Sequence, residues 1–154
     1  MGFWFYILIT TLILPALILF FGLNFSKKGA PKDIDGHSGF RSRRATKSWD
    51  AWVFTHKLAG RIWTLMGIIM LPVSVVIMLF SIKLPVELIN IFGSFLFGIQ
   101  GFAFVGSVIH IEMQIKKNFN DFGVRNPDSI EKELKLEEEK AAKALKKKEK
   151  SKKK

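Results

Sequence analysis

The stretch IWTLMGIIMLPVSVVIMLFSI, residues 62–82, contains no charged side chain. As an α-helix its 21 residues extend about 31 Å, enough to cross the ~30 Å hydrocarbon layer of a bilayer. Working outward, the next five residues, KLPVE (83–87), are too short to do more than reverse the chain. The following run, 88–111, is again uncharged, so the two form an antiparallel hairpin. On the other side, Phe3 to Phe25 is a third uncharged run. It lacks a preceding Lys or Arg and a clear cleavage site, and it is longer than the apolar part of a signal peptide, so it reads as a permanent helix bent at Pro15. The expectation is an all-α membrane protein with three transmembrane helices. Helix 1 occupies 1–25, a basic loop 26–47, an interfacial segment and helix 2 residues 48–82, an external turn 83–87, helix 3 residues 88–112, and a charged tail 113–154. Ser48 is placed to cap the second helix, with Asp50 in its first turn.

Composition agrees. Hydrophobic residues make up 49% of the chain while the net charge is +11, a combination that a soluble core accommodates poorly and that lipid-solvated runs explain. The basic charge lies between and after the apolar runs, where it orients the chain and attracts anionic lipid, so nucleic acid is not expected as a partner. With no cysteine there is no disulfide, thiolate metal site or cysteine nucleophile.

Residues 26–61 carry nine Lys/Arg and three Asp/Glu, a net +6. Residues 112–154 carry fourteen and nine, a net +5, whereas the 83–87 turn holds one of each. The positive-inside rule then puts the N-terminus outside and both basic segments and the C-terminus in the cytoplasm. Asp128 and Glu131 are spaced as a capping box for a tail helix, and the ending KKKEKSKKK reads as a solvated charge run unless anionic lipid holds it.

At 100° per residue, Gly60, Gly67, Ser74 and Ser81 fall on one stripe of helix 2, with Thr64 on the same face. Small residues allow close backbone approach in lipid, and this stripe is expected to be the packing seam of the hairpin. Helix 3 has a comparable face through Asn90, Ser94, Gly98, Gly101 and, at the cytoplasmic end, Glu112, and a second through Gln100, Ala103, Ser107 and His110. Two such faces suggest two packing partners, helix 2 and either helix 1 or another protomer. A mid-membrane amide such as Gln100 requires a hydrogen bond inside the protein.

Chemistry-bearing motifs are sparse. His37, His56 and His110 are spaced by nineteen and fifty-four and match no helical ligand pair, so no metal is expected. There is no phosphate-binding glycine loop and no GxSxG. No cofactor is expected, and no nucleophile, base and orienter stand at interpretable spacing, which argues against an enzyme.

The most distinctive segment is GFRSRRATKSWDAWVFTHKLAG, residues 39–60. It resembles the signature of the SdpI family of bacterial membrane proteins: Gly39, Phe40, Arg41, Ser42 in place of the usual Thr, Trp52, His56 where Asn is more usual, and Gly60. The hairpin that follows also resembles the family, so the likeness covers roughly residues 36–112. The resemblance implies a bacterial plasma-membrane protein of the immunity type, related to a factor that protects a cell against a secreted peptide toxin and helps hold a repressor at the membrane. Read from the residues, Arg41, Arg43 and Arg44 offer forked donors to lipid phosphate, and Trp49, Trp52 and Trp63 sit at headgroup level. Arg41, Arg43, Arg44, Trp52 and His56 are thus the candidate partner- or lipid-binding residues. Gly60, Gly67, Ser74, Gly98, Gly101 and Gln100 are the candidate packing residues. Two functional readings compete with toxin protection by binding. One is a small accessory or assembly subunit of a larger membrane complex, docking through helix 3. The other is an enzyme acting on lipid headgroups through His56 and the arginines.

Overall fold

The computed structural model describes the backbone of residues 2–152 and the side chains of 2–132 and 134–143. The expected capping box falls at the start of the tail helix; the side chains of the lysine-rich ending lie outside the described residues. The elements in order are α1 (Gly2–Lys28), a short 3-10 turn (Ala45–Lys47), α2 (Trp49–Phe80), α3 (Val86–Asn118) and α4 (Pro127–Lys152). The first three helices are long and apolar enough to cross a membrane.

Local chemistry sets these boundaries. The Ser48 side chain accepts the Ala51 N–H and starts α2, with Asp50 in the first turn. At the other end Ser81 and Leu84 close a tight turn through bonds to the Met78 and Ser81 carbonyls. Pro85 then precedes the first turn of α3, where Glu87 meets the positive end of the helix dipole. α1 ends at Gly29, whose N–H bonds to the Phe25 carbonyl and whose φ of +76° is the left-handed conformation that terminates helices. The third span runs one and a half turns past Glu112, to Asn118, because Gln114, Lys116 and Lys117 are compatible with helix once it leaves lipid. At α4 the helix begins one residue before the expected cap. Pro127 takes the first helical position, which leaves Asp128 inside the first turn.

The spans form an up-down-up bundle. α2 runs antiparallel to both neighbours, and α1 runs parallel to α3. The closest fit is between α1 and α2. A Cβ at Gly22 would lie 2.3 Å from the Thr64 N, one at Gly60 2.8 Å from the Ser26 N, and one at Gly67 2.7 Å from the Leu19 Cα. These are backbone atoms, so glycine is what lets the two helices touch. The small-residue stripe of α2 is therefore mainly a seam with α1, which corrects the expected seam within the α2–α3 hairpin. Further along it, Ser81 accepts a bond from the Trp4 indole, which also donates to the Met78 carbonyl. Ser74 alone turns to α3, accepting from Gln100 Nε2 at 2.7 Å.

α3 meets the bundle through Ile89, Gly93, Leu96, Gln100, Ser107, Ile111 and Ile115, all buried. Gly98 and Gly101 are not among them: a Cβ at either would meet nothing within 4 Å. Asn90 and Ser94 are exposed as well, so that expected face does not pack against the other helices. The reason is angular. The bundle contact follows a 3–4 repeat from Ile89, and Gly98 and Gly101 lie beside it. Large apolar residues such as Phe5, Ile9, Leu65, Ile69, Phe95 and Phe102 point outward along all three helices, the pattern of a lipid-facing surface.

Candidate functional site

The interior divides into two clusters, one at each end. At the hairpin end Trp4, Ile7, Met78, Ile89 and Leu96 pack together. At the basic end Ile18, Phe25, Trp52, Ala59, Trp63, Ile111, Ile115 and Phe119 form the larger one. The segment 29–47 folds over the second cluster, and the distinctive residues of the sequence are what hold it there.

His56 is the centre. It is fully buried, with its ring 4.2 Å from that of Trp52 and 4.7 Å from that of Phe25 in an edge-on arrangement. Its Nδ1 lies 2.8 Å from the Trp52 carbonyl oxygen, which can only accept, so Nδ1 carries the proton. Its Nε2 accepts the Phe40 backbone N–H at 2.9 Å. Both bonds together require a neutral imidazole in one tautomer, and both ring nitrogens are occupied. Trp52, also fully buried, donates its indole N–H to the Pro31 carbonyl at 2.8 Å. Gly39 lies against both rings with φ of +106°, and a Cβ there would meet His56 Nε2 at 2.5 Å and Trp52 Cη2 at 3.1 Å. Only glycine fits both the torsion and the space. The Phe40 ring then packs 5.8 Å from that of Trp63. Ser42 Oγ accepts the Ala45 N–H and begins the 3-10 turn that leads to Ser48. Trp52 and His56, expected among the partner- or lipid-binding side chains, are buried instead, with Trp52 Nε1 and His56 Nε2 bonded to the loop and His56 Nδ1 to the backbone of α2.

The three arginines divide. Arg44 reaches across to the end of α3 and the α3–α4 connection, with its Nε 3.8 Å from Glu112 and its Nη1 2.7 Å from Asp121. All three side chains are partly exposed, so the pairs fix position more than they stabilise. This too departs from the expected lipid-facing role. Arg41 is exposed and donates to the Gly36 carbonyl, and Arg43 is exposed with no hydrogen bond or ion pair among the described residues. Those two remain available to a partner.

The α3–α4 connection completes this plate. Residues 120–124 turn back on themselves with Gly123 at φ +79°, and the Ser48 hydroxyl donates to the Gly123 carbonyl at 2.6 Å. Arg125 lies over the Phe54 and Phe119 rings, 5.9 and 5.7 Å from their centres. In the span itself, Gln100 is buried and its amide nitrogen donates to Ser74, whose own hydroxyl donates to the Met70 carbonyl at 2.6 Å; the Gln100 Oε1 has no hydrogen-bond partner among the described residues.

Several clefts open near the basic end. One of about 590 Å³ separates α1 from α2 and is lined by Phe25, Ser26, Lys57, Arg61, Thr64, Leu65 and Ile68 among others. One of about 310 Å³, almost wholly apolar, lies where Leu14, Phe21, Phe40, Trp63 and Phe104 meet. One of about 420 Å³ lies between α2 and α4, lined by Asp50, Lys57, Arg61, Arg125 and Glu137 among others. No group of three or more His, Asp or Glu among the described residues is placed to hold a metal ion. Sequence reasoning did not single out Gly22, Pro31, Lys57, Arg61, Glu112 or Gly123 in these roles. Ser48 and the glycines of the signature carried the available signal.

Residues 32–111 match the sequence profile of the SdpI/YfhL protein family. That segment begins in the folded loop and ends on the buried face of α3, so it includes Gly39, Phe40, Ser42, Ser48, Trp52 and His56 but not Pro31, Glu112, Asp121 or Gly123. No curated protein and no solved structure gives a significant match.

Proposed function

The chain belongs to the SdpI/YfhL protein family, and from that we propose that it is an immunity-type protein of the bacterial plasma membrane, protecting its cell against a secreted peptide toxin by binding and not by catalysis. The observation that carries the reading is the fate of the signature residues. His56, the one side chain there suited to acid–base work, has both nitrogens hydrogen-bonded inside the protein. Trp52 and Gly39 are equally committed to the fold. The signature thus holds a rigid platform and leaves Arg41 and Arg43 exposed on it, an arrangement suited to recognition. With both basic segments at one end of the bundle, the charge asymmetry supports an external N-terminus and a cytoplasmic platform.

The test is survival. Wild type, Arg41→Lys and Arg41→Gln are expressed at equal membrane levels in a host sensitive to the peptide toxin encoded beside the gene. Wild type is expected to protect. If the planar fork of Arg41 is what recognises a carboxylate or phosphate, Arg41→Lys loses protection although charge is retained. If charge suffices, only Arg41→Gln fails. No protection by wild type would overturn the immunity reading in favour of an accessory subunit.

A further inference from the structure

The cleft between α1 and α2 is built differently along its depth. Its inner wall is Leu65 and Ile68, both exposed and apolar. Its outer wall is Lys57 and Arg61, one helical turn apart on the same face of α2. Neither cation makes an ion pair or hydrogen bond among the described residues, and no carboxylate lines this cleft. The neighbouring cleft, on the other side of the same two side chains, does contain Asp50 and Glu137. Between the walls lies a hydroxyl pair, Ser26 Oγ and Thr64 Oγ1, 3.3 Å apart. Only one proton is needed between them, so the other can be donated outward.

The level of this arrangement follows from the chain itself. The uncharged run of α1 ends at Phe25, and that of α2 begins at Ile62. Gly60 lies against the Phe25–Ser26 backbone, so both helices leave hydrocarbon at one height. The cations therefore stand at the depth of lipid phosphates, and Leu65 and Ile68 at the depth of the first acyl methylenes.

We propose that this cleft binds one anionic phospholipid, its phosphate held by Lys57, Arg61 and the Ser26–Thr64 hydroxyls and its acyl chains lying over Leu65 and Ile68. An arginine fork and an ammonium supply donors on two sides of a phosphate, and the hydroxyls close the third. A soluble phosphate would use only the outer half. The site is independent of toxin protection and of the direction in which the chain crosses the membrane.

The full chain is purified in neutral detergent and titrated with phosphatidylglycerol, phosphatidylcholine or soluble glycerol phosphate, and bound molecules are counted by native mass spectrometry. One phosphatidylglycerol is expected to bind saturably, at least about tenfold tighter than phosphatidylcholine, with glycerol phosphate unable to displace it. Lys57→Gln with Arg61→Gln is expected to weaken that first lipid roughly thirty-fold, about 2 kcal/mol for two headgroup-level cations. An equal charge loss elsewhere, Lys116→Gln with Lys117→Gln, is expected to weaken it less than about threefold, since exposed charges remote from the site are screened. Absence of a saturable one-lipid preference in wild type would overturn the proposal. So would equal losses in the two double variants, which would mean diffuse attraction. Displacement by glycerol phosphate would reassign the cleft to soluble phosphates.

Discussion

Gly22→Ala adds a single methyl group where the structure has no room for it. The new Cβ would lie 2.3 Å from the Thr64 N and 2.7 Å from the Trp63 carbonyl carbon, both backbone atoms of the facing helix. Ordinary contact begins near 3.4 Å, so α1 and α2 have to separate by about 1.1 Å at this level. A gap of 0.5–1 Å already forfeits roughly a quarter to a half of the dispersion energy of each contact it opens. Overpacking of this kind costs about 1–3 kcal/mol. Against it stands the higher helix propensity of alanine, about 1 kcal/mol. The comparison that isolates the seam is Gly98→Ala, which gains the same propensity and meets nothing within 4 Å. The two variants are expected to differ by about 2 kcal/mol. In thermal unfolding in detergent that corresponds to roughly 4–8 °C for a chain of this length, with Gly98→Ala at or above wild type and Gly22→Ala below it. Equal midpoints for the two would refute the claim that α1 and α2 are in backbone contact.

Three further outcomes follow from the same geometry. His56→Ala removes the acceptor of the Phe40 N–H and the donor to the Trp52 carbonyl, and is expected to free the 29–47 segment to limited proteolysis at a cost of about 3 kcal/mol, whereas His56→Asn, with one donor and one acceptor of its own, restores part of the protection. Gln100→Leu is expected to change stability by no more than about 1 kcal/mol, because Ser74 keeps its bond to Met70 and the unpartnered Oε1 disappears; a loss above about 3 kcal/mol in detergent unfolding would contradict this. A reporter active only outside the cytoplasm is expected to work when fused within residues 83–87 and to fail when fused after Lys154; the opposite pattern would reverse the proposed orientation.

The three spans were legible because absence of charge over more than twenty residues is a signal that tertiary contacts do not alter. The Ser48 cap was legible for a similar reason, since capping needs only the residues that follow it. The partner of the glycine stripe was not. A spacing of seven shows that Gly60, Gly67 and Ser74 share a face, but α1 and α3 are both apolar, and nothing in either sequence says which of them comes close. Gly22 and Leu19 decided it, through a fit that appears only when two backbones are laid side by side. The signature was readable as a unit, yet its chemistry read differently. Trp52 and His56 look like headgroup or partner ligands in a sequence, because the hydrogen-bond partners that hold them are the main-chain groups of Pro31, Phe40 and Trp52, which carry no side-chain identity. Arg44 was misread for the opposite reason: Glu112 and Asp121 are far along the chain and no local pattern joins them to it.

The hydroxyl of Ser48 and the carbonyl of Gly123 are separated by 75 positions in the chain. On a ribosome that separation is a delay. The contact between α1 and α2 needs nothing beyond Ser81, so it is available as soon as the second span has entered the bilayer. The platform is different. Arg44 waits for Asp121, and the Ser48 hydroxyl, already capping α2, waits for the Gly123 carbonyl; both partners emerge only after the third span has been threaded. A nascent chain therefore holds a docked pair of helices well before it presents a finished basic surface, and the surface is completed only by chains whose third span has been inserted.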